Sequence, residues 1–197
     1  MEQALQLADF AREQLNQIEG FQCMDEKVTG CADIESVDQT RIVISAKELG
    51  LTGFALEEQL FQQYAVNMEL ADYENVLAIV TYANTKEEME RLVAACRDIS
   101  LKYGKHGKYE RCLPDFPELP EQVKTPRQAY FSTQEEIPWE KAVGRVSAEM
   151  VAPYPPGIPV IYPGERISQE IWDYIEQFRK DNRHIHGAQN GKIKVLV

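Results

Sequence analysis

Residues 141–166, KAVGRVSAEMVAPYPPGIPVIYPGER, hold five of the ten prolines and three of the eleven glycines in a chain of 197 residues. At Tyr154-Pro155-Pro156-Gly157 the backbone must turn or run extended, because a proline ring locks φ and removes an N–H donor. Apolar runs at 143–151 and 158–162 flank this corner, and Arg145, Glu149, Glu165 and Arg166 interrupt or follow them. A stiff backbone carrying a few charges between apolar segments suits the wall of a shaped site. It equally suits a buried corner that holds a domain together.

The chain has room for one domain or two small ones with a true core, and its 44% apolar and 27% charged residues are ordinary for a globular protein. A formal net charge of −11 opposes general nucleic-acid binding, which needs clustered Lys and Arg to neutralise phosphate. No apolar run approaches the roughly 20 residues of a membrane helix. The opening MEQALQLADFAREQL has the pattern of an amphipathic helix rather than a signal peptide. Cys23, Cys31, Cys96 and Cys112 form no CxxC and lie in separate segments, which reads as free thiols in a reducing cytoplasm.

Helical spacing runs over residues 3–18 and stops at Gly20. A polar, turn-rich stretch follows, with Gly30 at a turn and short strands at 21–24 and 32–34. Arg41-Ile42-Val43-Ile44-Ser45-Ala46 is short, β-branched and apolar, the composition of a buried strand. A helix is expected over 55–64, an extended piece over 65–70 and a strand over 76–82. Thr85-x-x-Glu88 forms a capping box for a helix reaching residue 103, with Met89, Leu92, Val93, Cys96 and Ile99 inward.

Residues 104–126, punctuated by Gly104, Gly107, Pro114, Pro117, Pro120 and Pro126, read as a linker or a wrapping connection. In the remainder, 128–133 is expected as a short strand and 137–144 as a short helix begun by Pro138. Ser168 caps a helix with Ile171, Ile175 and Phe178 inward, and 192–197 is a strand. The expectation is an α+β protein of two small α/β layered units, with mixed or antiparallel sheets packed with helices. The first unit would span 1–103, the linker 104–126 and the second unit 127–197.

The candidate chemistry is sparse. His184-Ile185-His186 would place both rings on one face of a strand, but the segment is polar and follows a helix end, so a solvated loop is the expectation and no metal site is assigned. His106 is expected to be exposed. Gly50-Leu51-Thr52-Gly53 ahead of a helix has the form of an anion-binding turn, yet no basic residue follows within that helix; a plain strand-to-helix turn is the stronger reading. Glu140, Glu149 and Glu165 surround the proline corner with Arg145 and Arg166. They could bind a cation or shuttle protons, or form structural ion pairs.

The order Gly144-Arg145-Val146-Ser147-Ala148-Glu149, Pro153-Tyr154-Pro155-Pro156-Gly157-Ile158-Pro159, Pro163-Gly164-Glu165 resembles the C-terminal domain of the bacterial ornithine/lysine/arginine decarboxylases. Upstream, SAKELGLTGF at 45–54 and ELADYENVL at 69–77 resemble the small domain that precedes it in those enzymes. The resemblance implies a pyridoxal-phosphate enzyme of the aspartate-aminotransferase fold type that decarboxylates a basic amino acid in the cytoplasm, on the way to polyamines. It also implies a cofactor lysine in a Ser-x-His-Lys motif of a large domain. None of the three histidines here is followed by lysine, and the opening helix would be the one that follows the large domain.

The implied roles follow. No catalytic residue and no metal ligand is assigned to this chain. Glu140, Glu149 and Tyr154 line the substrate's route or meet its distal cationic group. Arg145, Pro155, Pro156, Gly157 and Glu165 are structural. The implied partners are the large pyridoxal-phosphate domain, a basic amino acid and other copies of the chain, with self-association driven by faces the large domain would cover; nucleic acid and membrane are not expected. The chain alone is expected to hold no cofactor and to be inactive. The alternatives are a free-standing module that associates with a full-length decarboxylase, or a small-molecule-binding domain that kept the fold without the chemistry.

Overall fold

The structure is a computed structural model that describes residues 2–25, 28–29, 34–104, 116–154, 157–181 and 183–197. The expectations at Gly30, Cys31, His106, Cys112, Pro155, Pro156 and much of the strand at 32–34 lie outside the described residues. The chain divides into two units, Met1–Cys112 and Leu113–Val197.

In the first unit α1 is Glu2–Leu15, β1 Gln22–Cys23, β2 Arg41–Ser45, α2 Gly53–Tyr64, β3 Leu70–Ala71, β4 Asn75–Ile79 and α3 Lys86–Tyr103. The strands form one antiparallel sheet in the order β1-β2-β4-β3. Alternation along β2 buries Ile42 and Ile44 on one side and leaves Arg41, Val43 and Ser45 on the other, the period-2 pattern of a sheet with one covered face. The three helices pack over the covered face through Ala8, Ala11 and Leu15 of α1, Leu56 and Leu60 of α2, and Leu92, Cys96 and Ile99 of α3.

Local chemistry sets the helix starts. Thr52 caps α2 by accepting from Ala55 N, and Thr85 and Glu88 form the reciprocal capping box of α3. The turn at 50–53 is not an anion site. The amides of Gly53 and Phe54 donate to the carbonyls of Tyr73 and Asp72, at 3.2 and 3.1 Å. A Cβ on Gly53 would run into the Asn75 and Asp72 carbonyls, so the glycine serves a close backbone approach.

In the second unit α4 is Pro126–Tyr130, β5 Gln134–Pro138, β6 Ala152–Tyr154, α5 Gln169–Lys180, β7 His184–His186 and β8 Lys192–Leu196. β5 pairs with β8 and β6 with β7, both antiparallel. The core gathers Trp139, Ile161, Ile167, Ile171, Ile175 and Val195. Trp139 lies in a 3-10 turn, Trp139–Lys141, and stacks parallel to Trp172, whose Nε1 donates to the Trp139 carbonyl at 3.0 Å.

Two expectations are corrected, at 128–133 and 184–186, and the alternatives at 104–126 are narrowed. Residues 128–133 are not a strand: Thr125 and Gln128 form a capping box with Pro126 at the first helical position, so the segment opens as helix α4. Of the two readings of 104–126, linker or wrapping connection, the described residues 116–126 fit the wrapping one, and they fall within the unit Leu113–Val197. Val123 N and Lys124 N both donate to the Gly164 carbonyl, Arg166 N donates to the Glu121 carbonyl, and Arg166 Nε pairs with Glu121 at 2.7 Å. Finally, His184-Ile185-His186 is strand rather than loop, since β6 supplies its backbone partners.

Candidate functional site

The proline-rich stretch folds back on itself within the second unit. Gly144 N donates to the Ile167 carbonyl, Ser147 N to the Glu165 carbonyl, Gly164 N to the Ser147 carbonyl and Val151 N to the Ile161 carbonyl. Its two arms are thus laced together, and the corner at Gly157 turns through a left-handed φ of +86° with its N–H on the Pro153 carbonyl at 2.9 Å.

The candidate residues separate by their surroundings. Glu149 is half-buried, and its Oε1 accepts from the backbone N–H of Ala188 at 3.1 Å and of Lys194 at 3.2 Å. Ser147 Oγ donates to the Glu149 carbonyl at 2.6 Å. This carboxylate staples the 147–149 turn to Ala188 and to Lys194 of β8 and has the surroundings of a structural group. Arg145 donates to Glu135 Oε1 at 2.6 Å and to the Leu196 carbonyl at 2.9 Å, tying the same turn to the β5–β8 sheet. Glu165 Oε2 accepts from Tyr162 N at 2.7 Å, inside its own turn.

Glu140 differs. It sits exposed on the 3-10 turn after β5, and its carboxylate makes no hydrogen bond or ion pair among the described residues. Tyr154, on β6, is 47% exposed. The β6–β7 register pairs it with His184, and its ring centroid lies 6.4 Å from that of His184 and 5.5 Å from that of His186. The two imidazoles meet edge to face at 4.6 Å. One face of this ribbon therefore presents a phenol and two imidazoles to solvent. The sequence carried the signal in the i, i+2 spacing of the histidines, but a strand assignment was needed to use it.

Beside His184 a polar cleft of about 360 Å³ is lined by Arg179, Arg183, Gln189 and Asn190. Arg179 is engaged, 3.5 Å from Glu176 and 5.7 Å above the Trp139 ring. Glu149 and Tyr154 both adjoin the 184–188 segment, whereas no contact among the described residues brings Glu140 to either.

The first unit holds two further features. On the side of its sheet away from the helices lies a cleft of about 540 Å³, bordered by Gln22, Met24, Val43, Ser45, Lys47 and Asn75. Lys47, on its border, is ion-paired with Glu74. On the helical side Tyr64, Asp98 and Lys102 form a triad: the Tyr64 hydroxyl donates to Asp98, and Lys102 Nζ lies 2.9 Å from Asp98 and 2.8 Å from the Tyr64 oxygen. The Tyr64 hydrogen bond, backed by Lys102, holds the Asp98 carboxyl below its ordinary range.

Among the described residues no three His, Cys, Asp or Glu side chains gather as a metal ion would require, and no helix is long and apolar enough to cross a membrane.

Residues 111–191 match the family model "Orn/Lys/Arg decarboxylase, C-terminal domain". Over its whole length the chain is 36% identical to an arginine decarboxylase of Bacillus anthracis, and over 99% of its length it is 39% identical to an arginine decarboxylase of Bacillus subtilis. It spans 40% of each of those proteins. The crystal structure of the Francisella novicida lysine decarboxylase superposes on the whole chain with a TM-score of 0.79 at 21% identity, again using 40% of that protein, which is a likeness of fold.

Proposed function

We propose that this chain, whose residues 111–191 match the C-terminal domain of the Orn/Lys/Arg decarboxylases, is the portion of a basic amino-acid decarboxylase that completes the active-site wall. The observation that carries this reading is the similarity along the entire chain to enzymes named arginine decarboxylases, of which it spans two fifths. The remaining body would hold pyridoxal phosphate. Two observations support leaving the cofactor there: no histidine of this chain is followed by lysine, and the first amides of α2, which a phosphate would need, already donate to Tyr73 and Asp72. No step of the chemistry is therefore assigned to a residue of this chain.

What this chain would supply is recognition of the substrate's distal cation. Glu140 offers an exposed carboxylate with no competing partner among the described residues, and Tyr154 offers a ring face for a guanidinium or ammonium group. Glu149, committed to two backbone amides, leaves the substrate-binding set and joins Arg145 and Glu165 as support. Arginine is the first substrate to test, with lysine and ornithine beside it.

The experiment replaces the matched portion of the Bacillus subtilis enzyme by this chain and measures carbon dioxide release. The chimera is expected to decarboxylate a basic amino acid while the chain alone releases none. A folded chimera inactive on all three amino acids, or activity in the chain alone, would refute the reading. In an active chimera, Glu140→Gln is expected to raise KM for arginine about tenfold with a smaller change in kcat; unchanged KM removes Glu140 from the site.

A further inference from the structure

The histidines of β7 acquire a relation to each other only because the segment is a strand. A solvated loop would leave the two rings independent. In β7 they lie two residues apart, on one face, with their backbones about 6.7 Å apart. The register sets Tyr154 opposite His184 and the small Ala152 opposite His186, and Ile185 takes the other face. Both imidazoles are exposed, and among the described residues neither takes part in a hydrogen bond or an ion pair. Their ring nitrogens are therefore open to a ligand. The end of the strand is pinned: a Cβ on Gly187, whose φ is +78°, would lie 2.1 Å from the Met150 carbonyl oxygen, and Ala188 N donates to Glu149.

We propose that His184 and His186 form a two-imidazole chelate for a divalent transition-metal ion of the class of Cu(II), Ni(II) and Zn(II), with the Tyr154 ring as the wall beside it. A ring nitrogen bound at about 2.1 Å puts the ion roughly 3.2 Å from the ring centre, so two imidazoles meeting one ion at about 90–110° have centres about 4.5–5.2 Å apart. The observed separation is 4.6 Å. The rings now meet edge to face, and rotation about χ2, a broad torsion for imidazole, turns both nitrogens to one point. The donor set selects the metal. Imidazole suits Cu, Ni and Zn, whereas Mg and Ca take oxygen ligands, and neither β6 nor β7 carries a carboxylate. Arg179 and Arg183 line the cleft beside His184, so donation from nitrogen rather than negative charge must hold the ion. The three-ligand sets of resident metal centres are absent among the described residues. Water would fill the remaining positions, and the ion would exchange with solution. Nothing in this site depends on the rest of a decarboxylase, so it stands or falls apart from the function proposed above.

The test is equilibrium dialysis of the full chain, without an affinity tag, against CuCl2 or ZnCl2. One Cu(II) per chain is expected, with Zn(II) at the same site more weakly, and excess MgCl2 should displace neither. His184→Ala and His186→Ala should each lower the Cu(II) affinity at least tenfold, while His106→Ala leaves it within twofold. Exchanging the neighbours, Ile185→His with His186→Ile, keeps three histidines in the chain but sets the pair on opposite faces, and it should lower affinity as the single variants do. No Cu(II) retained, full affinity in either single alanine variant, full affinity in the exchanged variant or loss on His106→Ala overturns the proposal. Nitrogen NMR of the parent decides it should the variants fail to fold: Zn(II) is expected to shift the imidazole resonances of two histidines together, and a shift at one or none overturns the chelate.

Discussion

Glu149 and Glu140 carry the same charge in opposite surroundings. Glu149 accepts from the backbone N–H groups of Ala188 and Lys194, so its removal takes that partner from both. Glu149→Ala should destabilise the second unit by about 2 kcal/mol, the usual cost of losing hydrogen bonds to a charged, half-buried group. Glu140→Ala should leave stability within about 0.5 kcal/mol, as a surface substitution away from any network does. Urea titration followed by tryptophan fluorescence, which Trp139 and Trp172 in the same unit make sensitive, checks both. Equal effects from the two variants would mean that Glu149 is not the staple described.

Gly164 is the second residue-scale case. It adopts a φ of +95°, and a Cβ there would run into the Lys124 carbonyl oxygen. Gly164→Ala should lower stability by about 2 kcal/mol or more, since left-handed strain alone costs of order 1–3 kcal/mol and the clash is with backbone, which cannot rotate away. A melting temperature within 2 °C (roughly 0.5 kcal/mol for so small a unit) of the parent would contradict this.

At the scale of elements, α3 depends most visibly on its ionised carboxylates. Glu88 accepts from the Thr85 backbone N–H at 2.8 Å and so sits below the ordinary carboxylate range, and Asp98 is held low by Tyr64 and Lys102. A carboxyl group depressed in the folded state stabilises it above the unfolded pKa, and that contribution disappears as pH falls through the folded value. The first unit should therefore keep its full stability above about pH 5 and lose it progressively as pH falls further, because unfolded carboxylates begin to protonate there while Glu88 and Asp98 stay ionised in the fold. Circular dichroism at 222 nm during acid titration reads this directly. Thr85→Ala, which removes one half of the capping box, should cost about 1 kcal/mol at neutral pH. A stability that stays flat down to pH 2.5 would argue against the assignment.

For the molecule as a whole, the two described thiols report on the integrity of the first unit. Cys23 and Cys96 are both buried against the covered face of the sheet. Burial pushes the Cys23 thiol up to about 12, with Arg12 pulling the other way, and it pushes Cys96 higher still. The thiolate is the reactive form, so neither should react with a disulfide reagent at pH 8 until the unit opens. Labelling, read by peptide mass spectrometry at these two positions, should rise along the same urea curve as loss of helix. Rapid labelling in native buffer would show that the unit is not closed as described.

Much of the architecture was legible in the residue order because it rests on short-range physics. The capping pair Thr85 and Glu88, the β-branched run of β2 and the amphipathic spacing of α3 and α5 each act within a few residues. Where an element depended on a distant partner, local reading failed. The histidines of β7 had no strand pattern of their own and needed β6, and residues 121–125 became part of a unit only through the Gly164 and Arg166 turn.

The proline-rich stretch shows the same division. Its composition determined that residues 141–166 would be a stiff, turning segment, and the order of its motifs carries the resemblance to the family. Composition could not say which of its carboxylates remain available. That was decided in tertiary structure, where the backbone amides of Ala188 and Lys194, both remote in sequence, occupy Glu149 and leave Glu140 exposed. A hydrogen-bond partner supplied by a distant segment leaves no local trace in the order of residues, whereas a locked φ or an in-register cap does.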